Sequence, residues 1–123
     1  MDEKKILYIE DDTDNHFALE MILLNSQFQL TCLTSGEEGI DFVRKLKPDL
    51  VLIDISLSTG MDGYEVMRQI RLSEVSDTPI VALTGHAVES ERKKCFEAGC
   101  NGFISKPIDA SSFEKEIMTY FRN

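Results

Sequence analysis

Residues 50–53, Leu-Val-Leu-Ile, are apolar with no polar alternation, and they run into a single carboxylate, Asp54. An unbroken apolar run of this kind predicts a strand covered on both faces, as in a parallel sheet flanked by helices. The same pattern recurs along the chain. Residues 6–9 form a short apolar run that stops at Glu10, Asp11 and Asp12, and residues 80–83 form another that stops at Thr84 and Gly85. Residues 28–33 alternate weakly and are rich in strand formers, and residues 102–105 make a fifth short strand ending at Lys106-Pro107. Between these runs the apolar period lengthens to that of a helix.

A first helix is predicted over 13–25, with Phe17, Leu19, Met21, Ile22, Leu23 and Leu24 in its pattern, Thr13 or Asp14 as its cap and Asn25-Ser26 as its stop. Ser35 and Glu38 have the spacing of a capping box, so a second helix is expected over 35–45, with Ile40, Phe42, Val43 and Leu46 on its inner side. Residues 64–72 form a third. Residues 88–98 form a fourth of rather polar character, closed by Gly99 in the left-handed conformation. The last covers 109–121, with Phe113, Ile117 and Tyr120 or Phe121 as its buried stripe. Five strands alternating with five helices, joined by right-handed crossovers, predict an α/β fold with a doubly wound five-stranded parallel sheet.

The 123 residues fit one domain spanning 1–123, and 42% hydrophobic with 28% charged residues is a globular balance. The charged N-terminus with only four apolar residues after it is too short for a signal peptide or membrane span, which favours the cytoplasm. Cys32, Cys95 and Cys100 are odd in number and lack CxxC spacing, so reduced packing thiols are expected, not a disulfide framework or zinc site. A net charge of −9 argues against nucleic acid as a direct partner.

Four of the five predicted strands end in groups able to handle a phosphoryl group: Glu10 with Asp11, Asp54, Thr84, and Lys106. In an open α/β sheet the carboxyl ends of the strands are where ligands bind. Clustered carboxylates repel unless a cation lies among them, and an oxygen-only set suits Mg²⁺ with retained waters. Asp54 could then act as a nucleophile toward phosphorus, with Lys106 and Thr84 binding the transferred oxygens.

The motifs Ile6-Leu-Tyr-Ile-Glu10-Asp11-Asp12, Leu50-Val-Leu-Ile-Asp54, Met61-Asp-Gly63-Tyr-Glu, Pro79-Ile-Val-Ala-Leu-Thr84-Gly-His-Ala and Phe103-Ile-Ser-Lys106-Pro107 together resemble the receiver domain of two-component response regulators, of the chemotaxis-regulator type. The resemblance implies flavodoxin-like strand order 2-1-3-4-5. It implies that Asp54 accepts a phosphoryl group from a phosphohistidine on a histidine kinase or histidine phosphotransfer protein. It further implies that Asp11, Asp54 and the carbonyl of Ser56 ligate Mg²⁺, that Glu10 acts through water, that Lys106 pairs with the phosphoryl oxygens, and that the Lys106-Pro107 bond is cis. Thr84 and Phe103 would form the switch, Thr84 turning toward the phosphoryl group and the Phe103 ring rotating inward on packing alone. The biased surface would be that of the fourth helix, fifth strand and fifth helix. Donor choice would lie on the first helix around residues 15–19, and a stand-alone domain would pass its signal to a downstream protein target by direct contact.

The sequence departs from the family pattern at 57–61, Leu-Ser-Thr-Gly-Met, which lacks the usual proline and carries one extra residue; a more mobile loop and an altered phosphoryl lifetime are expected there. Two other readings stand beside this one. A degenerate receiver could serve as an unphosphorylated docking module, although such domains usually lose the acceptor, the acidic pair or the lysine. A Mg²⁺-dependent aspartyl phosphohydrolase would want a second acid two residues after the nucleophile, where this chain has Ser56. Asp12 reads as a solvated acid or cap, His16 and His86 as ordinary surface histidines, and Arg92-Lys93-Lys94 as a solvated helix face balanced by Glu89, Glu91 and Glu97.

Overall fold

The computed structural model describes residues 3–57, 60–75, 77–85 and 88–121. Strands and helices alternate as β1 Lys4–Ile9, α1 Thr13–Ile22, β2 Phe28–Leu33, α2 Gly36–Leu46, β3 Leu50–Asp54, α3 Gly63–Arg71, β4 Ile80–Thr84, α4 Glu89–Ala98, β5 Gly102–Ser105 and α5 Phe113–Met118. The strands form one sheet in the order β2-β1-β3-β4-β5, every pair parallel, as expected from the apolar runs.

Strand alternation divides the core into two. On one face Leu7, Ile9, Val51, Ile53, Ile80 and Ala82 pack against Val43 of α2, Val66, Met67 and Ile70 of α3, and Cys95 and Ala98 of α4. On the other, Ile6, Tyr8, Leu50, Leu52, Val81, Leu83 and Ile104 pack against Leu19 and Leu23 at α1 and Phe113 and Ile117 of α5. All five residues of β3 and all five of β4 are buried, which is why those runs show no polar alternation.

Register fixes the functional end of the sheet. Ile9 lies beside Ile53, Asp54 beside Leu83, and Thr84 beside Ser105. The row continues into the loops, where Glu10 N–H donates to the Leu33 carbonyl at 3.0 Å and Lys106 N–H to the Thr84 carbonyl at 2.7 Å. Glu10, Asp54, Thr84 and Lys106 therefore emerge together at the carboxyl edge.

Several local expectations change. The cap of α1 is Asp12, whose Oδ1 accepts from Asp14 N–H at 2.9 Å, not Thr13 or Asp14. That helix stops at Ile22, with Leu23 as its C-cap, short of 25. The cap expected of α2 forms, Ser35 Oγ accepting from Glu38 N–H at 3.2 Å, but Leu46, the last residue of that helix, is 56% exposed. The last helix is shorter than 109–121. Asp109 Oδ1 accepts from both the N–H and the hydroxyl of Ser111, a local turn that competes with helix. At the other end Thr119, Tyr120 and Phe121 close on i−3 carbonyls.

Gly99 ends α4 with φ of 119°, its N–H donating to Phe96 O at 3.1 Å while Cys100 N–H donates to Cys95 O at 3.1 Å. These two bonds make the paired closure that favours glycine at a helix end. Gly63, the first residue of α3, is required for another reason. A Cβ there would stand 2.7 Å from the Asp54 carbonyl oxygen and 2.8 Å from Ile55 Cα, so the helix seats directly on the end of β3. Gly63→Ala is expected to destabilise the protein by about 1–3 kcal/mol through overpacking, despite alanine's better helix propensity. Urea unfolding would check this; an unchanged midpoint would show that the α3 seat is compliant.

Candidate functional site

Asp54 closes β3 with its residue 3% exposed, and Glu10, just beyond β1, is 2% exposed. Two carboxylates this deeply buried need partners. The Lys106 ammonium reaches across from the end of β5 to both, bonding Asp54 and standing 3.3 Å from Glu10 Oε1. Asp54 Oδ1 also accepts from Ser56 N–H at 2.8 Å, a bond available because the chain turns sharply after β3. Thr84 is buried at the end of β4, and Asp11, next to Glu10, is half-buried. Phe103 on β5 is half-buried against the core face shared by α2, α3 and α4. The Lys106-Pro107 peptide bond is cis.

Glu10 is held by more than Lys106. Its Oε1 accepts from Asn15 Nδ2 at 2.7 Å and from Tyr8 OH at 3.3 Å, while Oε2 accepts from Asp12 N–H at 3.4 Å. Its backbone carbonyl accepts from His16 Nε2 at 2.5 Å, and the His16 ring meets Tyr8 edge-on with centroids 5.8 Å apart. His16 is therefore half-buried and engaged, not the ordinary surface histidine the sequence suggested. His86, and Ser58 and Thr59 of the divergent loop, lie outside the described residues. Sequence reasoning gave Tyr8 no role at the site and placed Asn15 with donor choice, not beside Glu10. Their signals were a polar-tipped residue inside an apolar strand, and an amide five residues after Glu10, where the first turn of α1 carries it back over the strand end.

The charges do not balance. One ammonium faces two buried carboxylates. Burial pushes Glu10 up to about 7, reinforced by the hydrogen bond to Asp54 and its charge. Burial also acts to raise Asp54, but hydrogen bonds from Glu10, Lys106 and Ser56 N–H outweigh it and hold Asp54 below the ordinary carboxylate range. For Lys106 burial is likewise overcome, and Asp54 followed by Glu10 keep the ammonium charged. Lys106 thus neutralises Asp54, and Glu10 retains a proton toward neutrality.

Carboxyl groups gathered this closely suit a divalent cation. Among the described residues no three side chains of His, Cys, Asp or Glu form a ready-made metal cage. A site with one or two carboxylates, a backbone carbonyl and open positions for water is nevertheless the donor set Mg²⁺ prefers, since it dehydrates reluctantly. Asp54, Asp11 and the Ser56 carbonyl could hold it.

A doubly wound parallel sheet with a buried aspartate at the end of its central strand, bridged by lysine to an acidic loop, defines a phosphoacceptor-type α/β domain. The response regulator receiver domain family model matches residues 6–118, and the chain belongs to that family. Transcriptional regulatory protein AfsQ1 of Streptomyces coelicolor is 32% identical over 117 residues, covering 95% of this chain and 51% of that protein. Cell cycle response regulator CtrA of Brucella ovis is 36% identical over 104 residues, covering 85% of this chain and 44% of that one. The chain thus spans about half the length of these curated relatives. Among solved structures, the receiver domain of sensor histidine kinase PA1611 from Pseudomonas aeruginosa, which holds a magnesium ion in its active-site cleft, superposes with a TM-score of 0.87 at 28% identity, covering 96% of this chain and 97% of that one. Chemotaxis protein CheY4 of Vibrio cholerae has a TM-score of 0.89 at 20% identity, covering 97% and 99%, and shares the fold. Receiver domains are phosphoacceptor switches, generally not classed as enzymes, phosphorylated by histidine kinases. No helix among the described residues is long and apolar enough to cross a membrane.

The Glu10 shift carries a sign. Its folded value near 7 exceeds its ordinary 4.5, so the folded state keeps a proton that the unfolded chain has released. Its contribution to stability is full below pH 4.5 and is lost as pH rises through about 7. Asp54, held below its ordinary 3.8, contributes in the opposite sense, with stability lost as pH falls beneath that value. With divalent cations chelated, Glu10→Gln should flatten the decline between pH 4.5 and 7, read from denaturation midpoints across pH. An unchanged slope in that variant would place the proton elsewhere.

Proposed function

We propose that this chain is a Mg²⁺-dependent phosphoacceptor switch in which Asp54 takes a phosphoryl group from a phosphohistidine on a kinase or phosphotransfer protein. The observation that carries this reading is the Lys106 ammonium shared by Asp54 and Glu10 at the strand ends. An Asp54 oxygen attacks phosphorus, the phosphorus–nitrogen bond of the donor breaks, and the electron pair leaves with the imidazole, giving an acyl phosphate. Bound Mg²⁺ supplies charge that screens the carboxylate from the incoming phosphoryl oxygens. Lys106 follows the charge from the carboxylate to the phosphoryl oxygens. Ser56 N–H holds the side chain of Asp54 in place, and water later cleaves the acyl phosphate to restore it.

Thr84 and Phe103 are the proposed switch pair. Thr84 is next to Leu83, which lies beside Asp54 in register, and Phe103 lies beside Ala82 on the next strand. Rotation of Thr84 toward a phosphoryl group would open space at that edge for the half-buried ring. The output surface of α4, β5 and α5 carries Val88 and Phe96, 57% and 40% exposed, as apolar contacts for a protein target. A protein donor has its own surface. Phe17 and Met21 on α1, and Leu24 just past its end, are 53%, 57% and 66% exposed, while Asn15, Ala18 and Ile22 of the same helix line a cleft that reaches Lys106. The departure at 57–61 would alter phosphoryl lifetime by changing water access. A phosphohydrolase reading finds no acid at Ser56, which is exposed.

Incubation with Mg²⁺ and a small phosphodonor should add one labile phosphoryl group by intact mass, absent without metal and absent in Asp54→Asn. Gain of the same mass by that variant would move the acceptor to another acid. Lys106→Ala is expected to break the link between phosphorylation and the change at α4, β5 and α5. Amide shifts of residues 89–105 before and after phosphorylation would report this, and a complete shift in the variant would refute the role given to Lys106.

A further inference from the structure

The carboxylate of Glu10 is gripped at one oxygen. Oε1 accepts from Asn15 Nδ2 at 2.7 Å, Tyr8 OH at 3.3 Å and Lys106 Nζ at 3.3 Å. Of these three donors, Lys106 is the one the proposed chemistry requires to move, because the ammonium must follow charge to the phosphoryl oxygens. Tyr8 and Asn15 need not move. Tyr8 is 1% exposed in the middle of the α1–α5 core, so its hydroxyl is fixed by packing. Asn15 sits in the first turn of α1, whose entry is pinned by the Asp12 cap and by His16 Nε2 on the Glu10 carbonyl at 2.5 Å. Two neutral donors with anchored backbones thus hold Oε1 whether or not Lys106 is present. The carboxylate plane is set by them, and Oε2, with its long 3.4 Å bond from Asp12 N–H, is the less tightly held oxygen, on the side where Asp54 lies within hydrogen-bond reach of Glu10.

We propose that Asn15, supported by Tyr8, is a positioning residue that orients Glu10 and thereby sets the affinity of the site for a divalent cation. The inference rests on the metal-dependent reading given above. Asn15 touches neither the phosphoacceptor nor the proposed cation ligands in its bonded contacts; it acts through Glu10. Outer partners of this kind prevent a carboxylate from rotating away from a weakly held, heavily hydrated ion, and their loss commonly weakens binding about 10–100-fold. The amide matters because it donates without adding charge. Another cation at this position would neutralise Glu10 and compete with the metal, and another acid would repel it.

The test is a Mg²⁺ titration of the full unphosphorylated chain, followed by calorimetry or by amide shifts at the strand ends. Asn15→Ala and the similarly sized Asn15→Leu should each raise the Kd for Mg²⁺ about 10-fold or more, and Tyr8→Phe should raise it by less. In a Glu10→Ala background the Asn15 substitutions should add nothing, since the residue they act through is gone. An unchanged Kd in both Asn15 variants would overturn the inference, as would an equal loss in the Glu10→Ala background, the mark of a merely structural role. Far-UV circular dichroism identifies a variant that has not folded, and Tyr8→Phe, which removes one oxygen from an otherwise intact ring, then decides the matter by its dependence on Glu10. Failure of the unsubstituted protein to bind Mg²⁺ would overturn the metal reading itself, and this inference with it.

Discussion

One ammonium between two buried carboxylates is the constraint on which the site depends. Lys106 reaches Asp54 and Glu10 because β1, β3 and β5 end at one edge of the sheet, and that coincidence of ends is a property of register. A slip of one residue in any of these strands would exchange its side chains between the two packed faces and turn its terminal acid or base away from the cleft. Packing therefore specifies the site. The apolar cost of misregistration protects the polar geometry, and burial beside Asp54 raises Glu10 to about 7.

The two faces of the sheet are not held equally. Beneath the site, α1 and α5 contribute Leu19, Leu23, Phe113 and Ile117 to a core that contains Tyr8, and this face also carries the Glu10 clamp. On the opposite face α3 buries Gly63, Val66, Met67 and Ile70, whereas α4 buries Cys95 and Ala98 alone. The cap of α4, Val88, has no side-chain acceptor to offer. Burial and the neighbouring Cys100 raise Cys95 to about 12, so it packs as a neutral thiol. A helix held by so few buried groups is more readily displaced by a small change in free energy than α3 is.

Much of this was legible in the chain. Runs such as Ile80-Val-Ala-Leu could be read as strands because they are buried on both sides and carry no competing period. Gly99 and the Ser35–Glu38 box are local devices whose chemistry is complete within a few residues. What escaped were features settled by tertiary packing. Leu46 and Phe17 fit a helical stripe yet stand 56% and 53% exposed, a difference that apolar periodicity alone does not carry. The Asp109 turn shortens α5 by offering the backbone a local alternative that periodicity cannot weigh. Tyr8 lay unmarked within a motif, and only the return of α1 over the end of β1 brings Asn15 and His16 to Glu10.

The end of β3 that carries Asp54 is also joined to α4 by way of α3. Gly63 is pressed against the Asp54 carbonyl, so the first turn of α3 cannot shift without the end of β3 shifting too. The next residue, Tyr64, gives its hydroxyl to Glu91 on α4, and burial together with that carboxylate raises the phenol well above its usual value. At the far end of α3, Arg71 donates to the carbonyls of Gly99 at 2.8 Å and Thr78 at 2.6 Å, and to Asn101 Oδ1 at 2.7 Å. Each end of α3 thus grips one end of the α4 segment. A displacement of α4 must break or stretch one of these polar contacts, which gives the weakly buried helix a defined resting place that packing alone would not supply.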